Sequence, residues 1–181
     1  MGGMIAQTLA IQNPDRVRSL VSIMAHTGER RFLVGRPDAL RVLLSGAPPR
    51  TPEEAGERTA RIMAALGSPA FPTDPAEYHS FGAKAFQRSH DPPAFGRQLA
   101  AILASGHRVA GLAKLQVPTL VIHGQADPLI SRSAGRRMAR LIPDADLWAV
   151  PGMGHDLPEQ LWPDVTARIA TFARSRTRSV A

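Results

Sequence analysis

The stretch VPTLVIHGQADPLI, residues Val117–Ile130, decides how this chain is read. Thr119 to Ile122 is a short β-branched and apolar run, the length and composition of a strand covered on both faces. Gly124 ends the run, and Asp127-Pro128 opens a turn. Helical spacing follows from Ser131 to Leu141, then a second strand from Asp146 to Val150. That strand empties into another glycine-rich loop, PGMGHDLP, residues Pro151–Pro158. Strand, loop, helix and strand in this order predict neighbouring parallel strands in an α/β sheet. Both loops then lie past the C-terminal ends of their strands, the rim where open α/β sheets place their sites.

Each loop carries one residue with chemistry. Asp127 and His155 are 155 − 127 = 28 residues apart, room for one helix and one strand. An Asp-Pro after a strand is commonly a turn or a helix cap, and a histidine in a glycine-rich loop is commonly a surface residue. The pair is more specific than either member. An aspartate that orients a histidine, which then serves as general base, is the support of an activated nucleophile. Gly152 and Gly154 allow the tight loop that would aim the His155 imidazole at the rim. Met153 and Asp156, on either side, are expected to shape the loop by packing. His123, at the strand end, is read as structural.

Outward from these loops the pattern stays α/β. Met4 to Ile11 places Met4, Ile5, Leu9 and Ala10 near one side of a helix, the expected buried stripe. Asn13-Pro14 stops that helix, because the residue before proline is pushed out of the helical region. Val17 to Ile23 then reads as a strand covered on both faces. From about His26 to Gly111 no strand pattern occurs. Thr51-Pro52-Glu53-Glu54 and Asp74-Pro75-Ala76-Glu77 are helix starts, with a capping side chain and proline at the first position. Asp91-Pro92-Pro93 precedes a further helix to Leu103, and a shorter one is expected from Pro37 to Leu44. The last helix is expected from about Pro158 to Arg174. The expected organisation is a core of residues 1–28 and 112–175, a helical lid at 29–111 and a disordered tail at 176–181.

Composition narrows the function classes. With 181 residues and 44% hydrophobic content, the chain can fill one ordinary domain. It has no apolar run long enough for a membrane span and no signal-peptide pattern. The absence of cysteine excludes disulfides and thiol catalysis and suits the cytoplasm. The net charge of +7 raises nucleic-acid binding. Yet the basic residues are scattered, almost all are arginine, and no aromatic residues interleave with them as a stacking platform requires. Neither a nucleic acid nor a membrane is expected as a partner. His79, His90 and His107 lack metal-ligand spacing, so no metal and no cofactor are expected.

Three motifs in order carry a family resemblance: Met1-Gly2-Gly3 with the helix to Asn13 and NPDRVRSLVSI, then VPTLVIHGQADPLI, then PGMGHDLP. With them the chain resembles the α/β-hydrolase fold family over nearly its whole length. It is similar to the proline iminopeptidase-like and aclacinomycin methylesterase-like serine hydrolases. The resemblance implies the C-terminal part of that fold, with lid helices inserted between strands. It implies Asp127 and His155 as the acid and base of a triad whose order is nucleophile, acid, histidine. In the nucleophile elbow G-x-S-x-G, the serine sits on a strained turn between strand and helix, with small residues after it. MGGMIAQTLA has the form of the residues that follow such a serine. The nucleophile is therefore expected immediately before Met1, and the Met1 backbone N–H is the expected oxyanion donor. Ser68 and Ser105 lack the strand–turn–helix setting and are not read as substitutes.

The implied reaction is hydrolysis of a carboxylic ester or related acyl bond of a small molecule through an acyl-enzyme. Phe71, Tyr78, Phe81 and Met153 are the expected lining of the substrate pocket. Two alternatives stand beside this. One is a catalytically dead remnant, since a strand at Val17–Ile23 without upstream strands would leave an unpaired edge. The other is an aminopeptidase of the proline iminopeptidase type, for which Glu77 is the sole suggestive holder of a substrate amine.

Overall fold

A computed structural model describes residues 1–176. Its centre is a sheet of three parallel strands in the order β1 (Leu20–Ile23), β2 (Thr119–Gly124), β3 (Asp146–Val150). Leu20 pairs with Thr119 and Ile23 with Ile122, while Leu120 pairs with Asp146 and Gly124 with Val150. Every residue of β2 is buried, as the central place in a covered parallel sheet requires. Because side chains alternate along a strand, β2 feeds two cores. Val121 joins Ala10, Leu112, Met138 and Ile142 on one face; Leu120 and Ile122 join Met153, Leu161, Val165 and Phe172 on the other. The first face is covered by α1 (Gly2–Gln12), α6 (Val109–Leu112) and α7 (Arg132–Leu141), the second by α8 (Trp162–Arg176).

Between β1 and β2 the chain is helical: α2 (Pro37–Leu44), α3 (Pro52–Leu66), α4 (Pro75–Arg88), α5 (Ala94–Ala104) and α6. The start signals act as expected. Thr51 Oγ1 accepts the Glu54 N–H at 3.2 Å, with Pro52 at the first helical position. Asp74 caps α4 through the Ala76 N–H at 2.9 Å. Helices α3 and α4 pack closely because Gly82 faces α3. A Cβ there would stand 2.6 Å from the Ala55 carbonyl oxygen, too close for any side chain.

Three expectations need correction. The buried face of α1 is Met4, Gln7 and Ala10, whereas Ile5 and Leu9 are 59% and 55% exposed. A three-residue step turns Gln7 onto the sheet. Its amide is satisfied there, donating to Ser22 Oγ at 3.2 Å and accepting from Arg108 Nε at 3.0 Å. Strand β1 begins at Leu20 and not at Val17, because its partner β2 starts at Thr119 and Pro118 before it has no N–H to extend the ladder. Finally, Arg176 closes α8 with its guanidinium 3.4 Å from Asp146, so it is helical; the rest of the tail expected to be disordered lies outside the described residues. Among the described residues no helix is long and apolar enough to cross a membrane.

Candidate active site

The loops after β2 and β3 meet at one corner of the sheet. The Gln125 N–H donates to the Val150 carbonyl at 2.9 Å and the Ala126 N–H to the Met153 carbonyl at 3.0 Å. Gly124 makes this approach possible, since a Cβ on it would lie 2.5 Å from the Gly154 carbonyl oxygen. Gly152 takes the left-handed conformation, φ 69°, that turns the chain back toward the sheet rim.

Asp127 and His155 come together there. The Asp127 carboxylate is fully buried, and its two oxygens have separate partners. Oδ1 accepts the N–H groups of Leu129 at 2.9 Å and Ile130 at 2.8 Å, which fixes the carboxylate in its own turn. Oδ2 accepts from His155 Nδ1 at 2.7 Å. With a carboxylate on Nδ1, that nitrogen carries the proton and Nε2 is left with its lone pair. The imidazole is 23% exposed, so the arrangement presents a basic nitrogen at the rim of the sheet.

Two further histidines are buried. His123 is buried, and its Nε2 donates to the Ile130 carbonyl at 2.8 Å, pinning the far end of the Asp127 turn. Its Nδ1 faces α7 at Gly135 without a hydrogen-bond partner. Burial pushes the His123 pKa down, so the ring is neutral and the Nε2 proton stays in place. His26 accepts the Gly28 N–H at 3.0 Å through Nδ1. Burial first, then the charges of Arg108 and the Met1 amino group, lower its pKa to about 4.

The expected lining residues separate. Phe71 and Tyr78 border a cavity of about 370 Å³ together with Met63, Ser68, Ala126 and Pro128, the last two flanking Asp127. Phe81 is 68% exposed and lies in an outer groove with Tyr78, Leu157 and Trp162. Glu77 lines that outer groove too. Met153 is a correction: it is fully buried against β2 and α8 and lines neither this cavity nor the outer groove, because the loop turns it down into the core as it turns His155 up. Met1 caps the head of α1, where burial and the charge of Arg108 lower the pKa of its amino group.

The sequence reading missed Asp156. It is no packing residue but a buried carboxylate that accepts the hydroxyls of Ser68 and Tyr78, the latter at 2.7 Å. No local signal points to this, since the partners lie 88 and 78 positions away. Among the described residues no group of three or more His, Asp or Glu side chains is placed to hold a metal ion.

Comparison with known proteins gives this geometry its setting. Residues 1–160 match the family model described as the α/β hydrolase fold. Rhodomycin D methylesterase DauP of Streptomyces sp. (strain C5) is 25% identical over 98% of this chain. A meta-cleavage product hydrolase of Pseudomonas fluorescens IP01 superposes with a TM-score of 0.70 at 19% identity, covering 95% of this chain and 61% of its own. The esterase RhEst1 of Rhodococcus sp. ECU1013 gives 0.66 at 24% identity, covering 96% of this chain and 62% of its own. The chain spans 65% of the length of the methylesterase it matches. A family model that runs through both rim loops, on a parallel sheet of this order, leaves one assignment: the chain belongs to the α/β-hydrolase fold family.

Proposed function

We propose that this chain carries the acid and base of a serine hydrolase that cleaves carboxylic esters or related acyl bonds of small molecules. The observation that carries the reading is the 2.7 Å contact of His155 Nδ1 with a buried Asp127 whose other oxygen is already committed. The names of the relatives, a methylesterase and an esterase among them, support an ester as the substrate class. In this reading the helices of residues 29–111 form the lid, and the cavity beside Phe71 and Tyr78 receives the acyl or alcohol part. The cysteine-free sequence supports a cytoplasmic setting, and neither a nucleic acid nor a membrane is a proposed partner.

The nucleophile in this reading is a serine immediately before Met1 in a longer form of the protein. Its Oγ attacks the ester carbonyl while His155 Nε2 takes the hydroxyl proton. Asp127 holds the tautomer and stabilises the imidazolium. The carbonyl oxygen becomes an oxyanion, and the Met1 N–H, then a peptide N–H, donates to it; one such donor is worth about 10²–10³ in rate. His155 returns the proton to the leaving alkoxide, and water repeats the sequence on the acyl-enzyme. The 181-residue chain supplies base and acid only, so little hydrolysis is expected from it by itself. Glu77 lines the outer groove and not the cavity, and so gives no support to an aminopeptidase reading.

The test is to express a form extended upstream with serine before Met1 and to assay p-nitrophenyl acetate hydrolysis and fluorophosphonate labelling. Labelling that disappears when this serine is changed to alanine supports the reading. Ester hydrolysis that persists in His155→Ala or in the serine-to-alanine form would overturn it.

A further inference from the structure

Asp156 is a buried carboxylate with no cationic partner among the described residues. Its oxygens are satisfied by two neutral hydroxyls: Oδ1 accepts from Ser68 and Oδ2 from Tyr78 at 2.7 Å. Ser68 Oγ in turn accepts the Gly154 N–H at 2.9 Å. One hydroxyl thus bridges the residues before and after His155. The His155 N–H donates to the Leu66 carbonyl at 2.7 Å, and the Ala70 N–H donates to the Gly152 carbonyl at 3.2 Å. The turn at residues 66–70, between α3 and α4, therefore holds the loop of residues 152–156 at four points, Gly152, Gly154, His155 and Asp156. Burial is the main cause that pushes the Tyr78 hydroxyl up; a hydrogen bond with Thr73 acts against it, the adjacent Asp156 carboxylate adds to it, and the hydroxyl remains a donor. Ser68 has both its hydrogen-bonding roles filled and meets a carboxylate where a nucleophile would meet an imidazole.

We infer that Ser68, Tyr78 and Asp156 are positioning residues: a clamp by which the helical segment sets the His155 imidazole against Asp127. The inference rests on the reading of Asp127 and His155 as acid and base. Asp127 fixes the ring from below through Nδ1, but a ring on a glycine-flanked loop can leave that contact when its backbone moves. The clamp removes this freedom through two neutral donors, the Ser68 and Tyr78 hydroxyls, that meet on the Asp156 carboxylate.

Hydrogen exchange measured by NMR on the uniformly ¹⁵N-labelled chain tests the clamp. In Ser68→Ala and in Tyr78→Phe, the Gly154 and His155 amides are expected to exchange about tenfold faster or more, with Leu120 and Val121 of β2 changed by less than about twofold. The downfield His155 Nδ1 proton is expected to weaken in both variants through faster solvent exchange. Ser68→Thr, which keeps the hydroxyl, should restore it. Unchanged Gly154, His155 and Nδ1 protons would overturn the clamp, and so would equal acceleration in β2, the signature of a purely global effect. If Ser68→Ala does not fold, Tyr78→Phe decides, since it removes one hydroxyl from a partly exposed ring. Asp127→Ala separates the two readings. A downfield Nδ1 proton that survives Asp127→Ala overturns the acid–base pair, whereas a clamp that fails with that proton intact overturns only the clamp.

Discussion

The two rim loops solve the same problem in opposite ways. Asp127 is held by its own turn: the N–H groups that fix it belong to Leu129 and Ile130, two and three residues on. His155 is held by borrowed groups, with Leu66 and Ser68 supplying the bonds at its own and the preceding amide. A local device forms wherever the turn forms. A borrowed one requires that α3 and α4 be docked first, so the His155 ring can be displaced while Asp127 stays in place.

The predictions follow that contrast from the largest effect downward. In a longer form bearing the serine, Asp127→Asn or His155→Ala should lower kcat by roughly 10⁴, measured on a p-nitrophenyl ester. A loss of less than tenfold would mean that the pair does not act as a unit. Met153→Ala removes a fully buried side chain at the foot of the His155 loop and should cost about 2–5 kcal/mol, read from urea denaturation. A small cost would show that the loop is anchored by its backbone bonds alone.

His26 gives a pH-dependent prediction on the third loop, after β1. Its folded pKa of about 4 lies below the ordinary 6.5, so the unfolded chain binds more protons between these values. Stability is fully present above pH 6.5 and should fall as the pH drops toward about 4, by at most about 3 kcal/mol. His26→Gln should flatten that part of the curve, and an unchanged slope would assign the loss to other groups. The smallest effect is expected at Phe81, which is 68% exposed in the outer groove. Phe81→Ser should change stability by no more than about 0.5 kcal/mol and leave ester kinetics unaltered. A marked change in KM would bring the outer groove into the substrate path, joined to the cavity through the Met63, Thr73 and Tyr78 that line both.

The same contrast explains what could be read in the sequence. Asp127 and His155 were legible because each follows an apolar strand-forming run with a glycine that ends it. The starts of α3 and α4 were legible because Thr51 and Asp74 act on amides three and two residues away. The face of α1 was not. Choosing Ile5 and Leu9 for the core follows hydrophobicity, but Gln7 is buried because Ser22 and Arg108, distant in sequence, complete its hydrogen bonds. Met153 was misplaced for a related reason. Which way a side chain points from a glycine-rich loop depends on where Gly152 reverses the chain, and hydropathy does not encode that. Asp156 was invisible as an acceptor because its donors, Ser68 and Tyr78, are brought to it from 88 and 78 positions away in the chain.

The seam between α3 and α4 bears on how a substrate could enter. Gly82 lets the two helices touch backbone to side chain, so they behave as one stiff plate and not as two independent rods. That plate is bolted to the His155 loop at its Ser68 edge. On the proposed reading, tilting it to widen the cavity would draw His155 away from Asp127 and leave an open site without its acid–base pair. The opposite wall is tied as well: the Arg36 N–H donates to the Pro128 carbonyl, next to Asp127, at 2.8 Å, so each side of the cavity is fastened to one member of the pair.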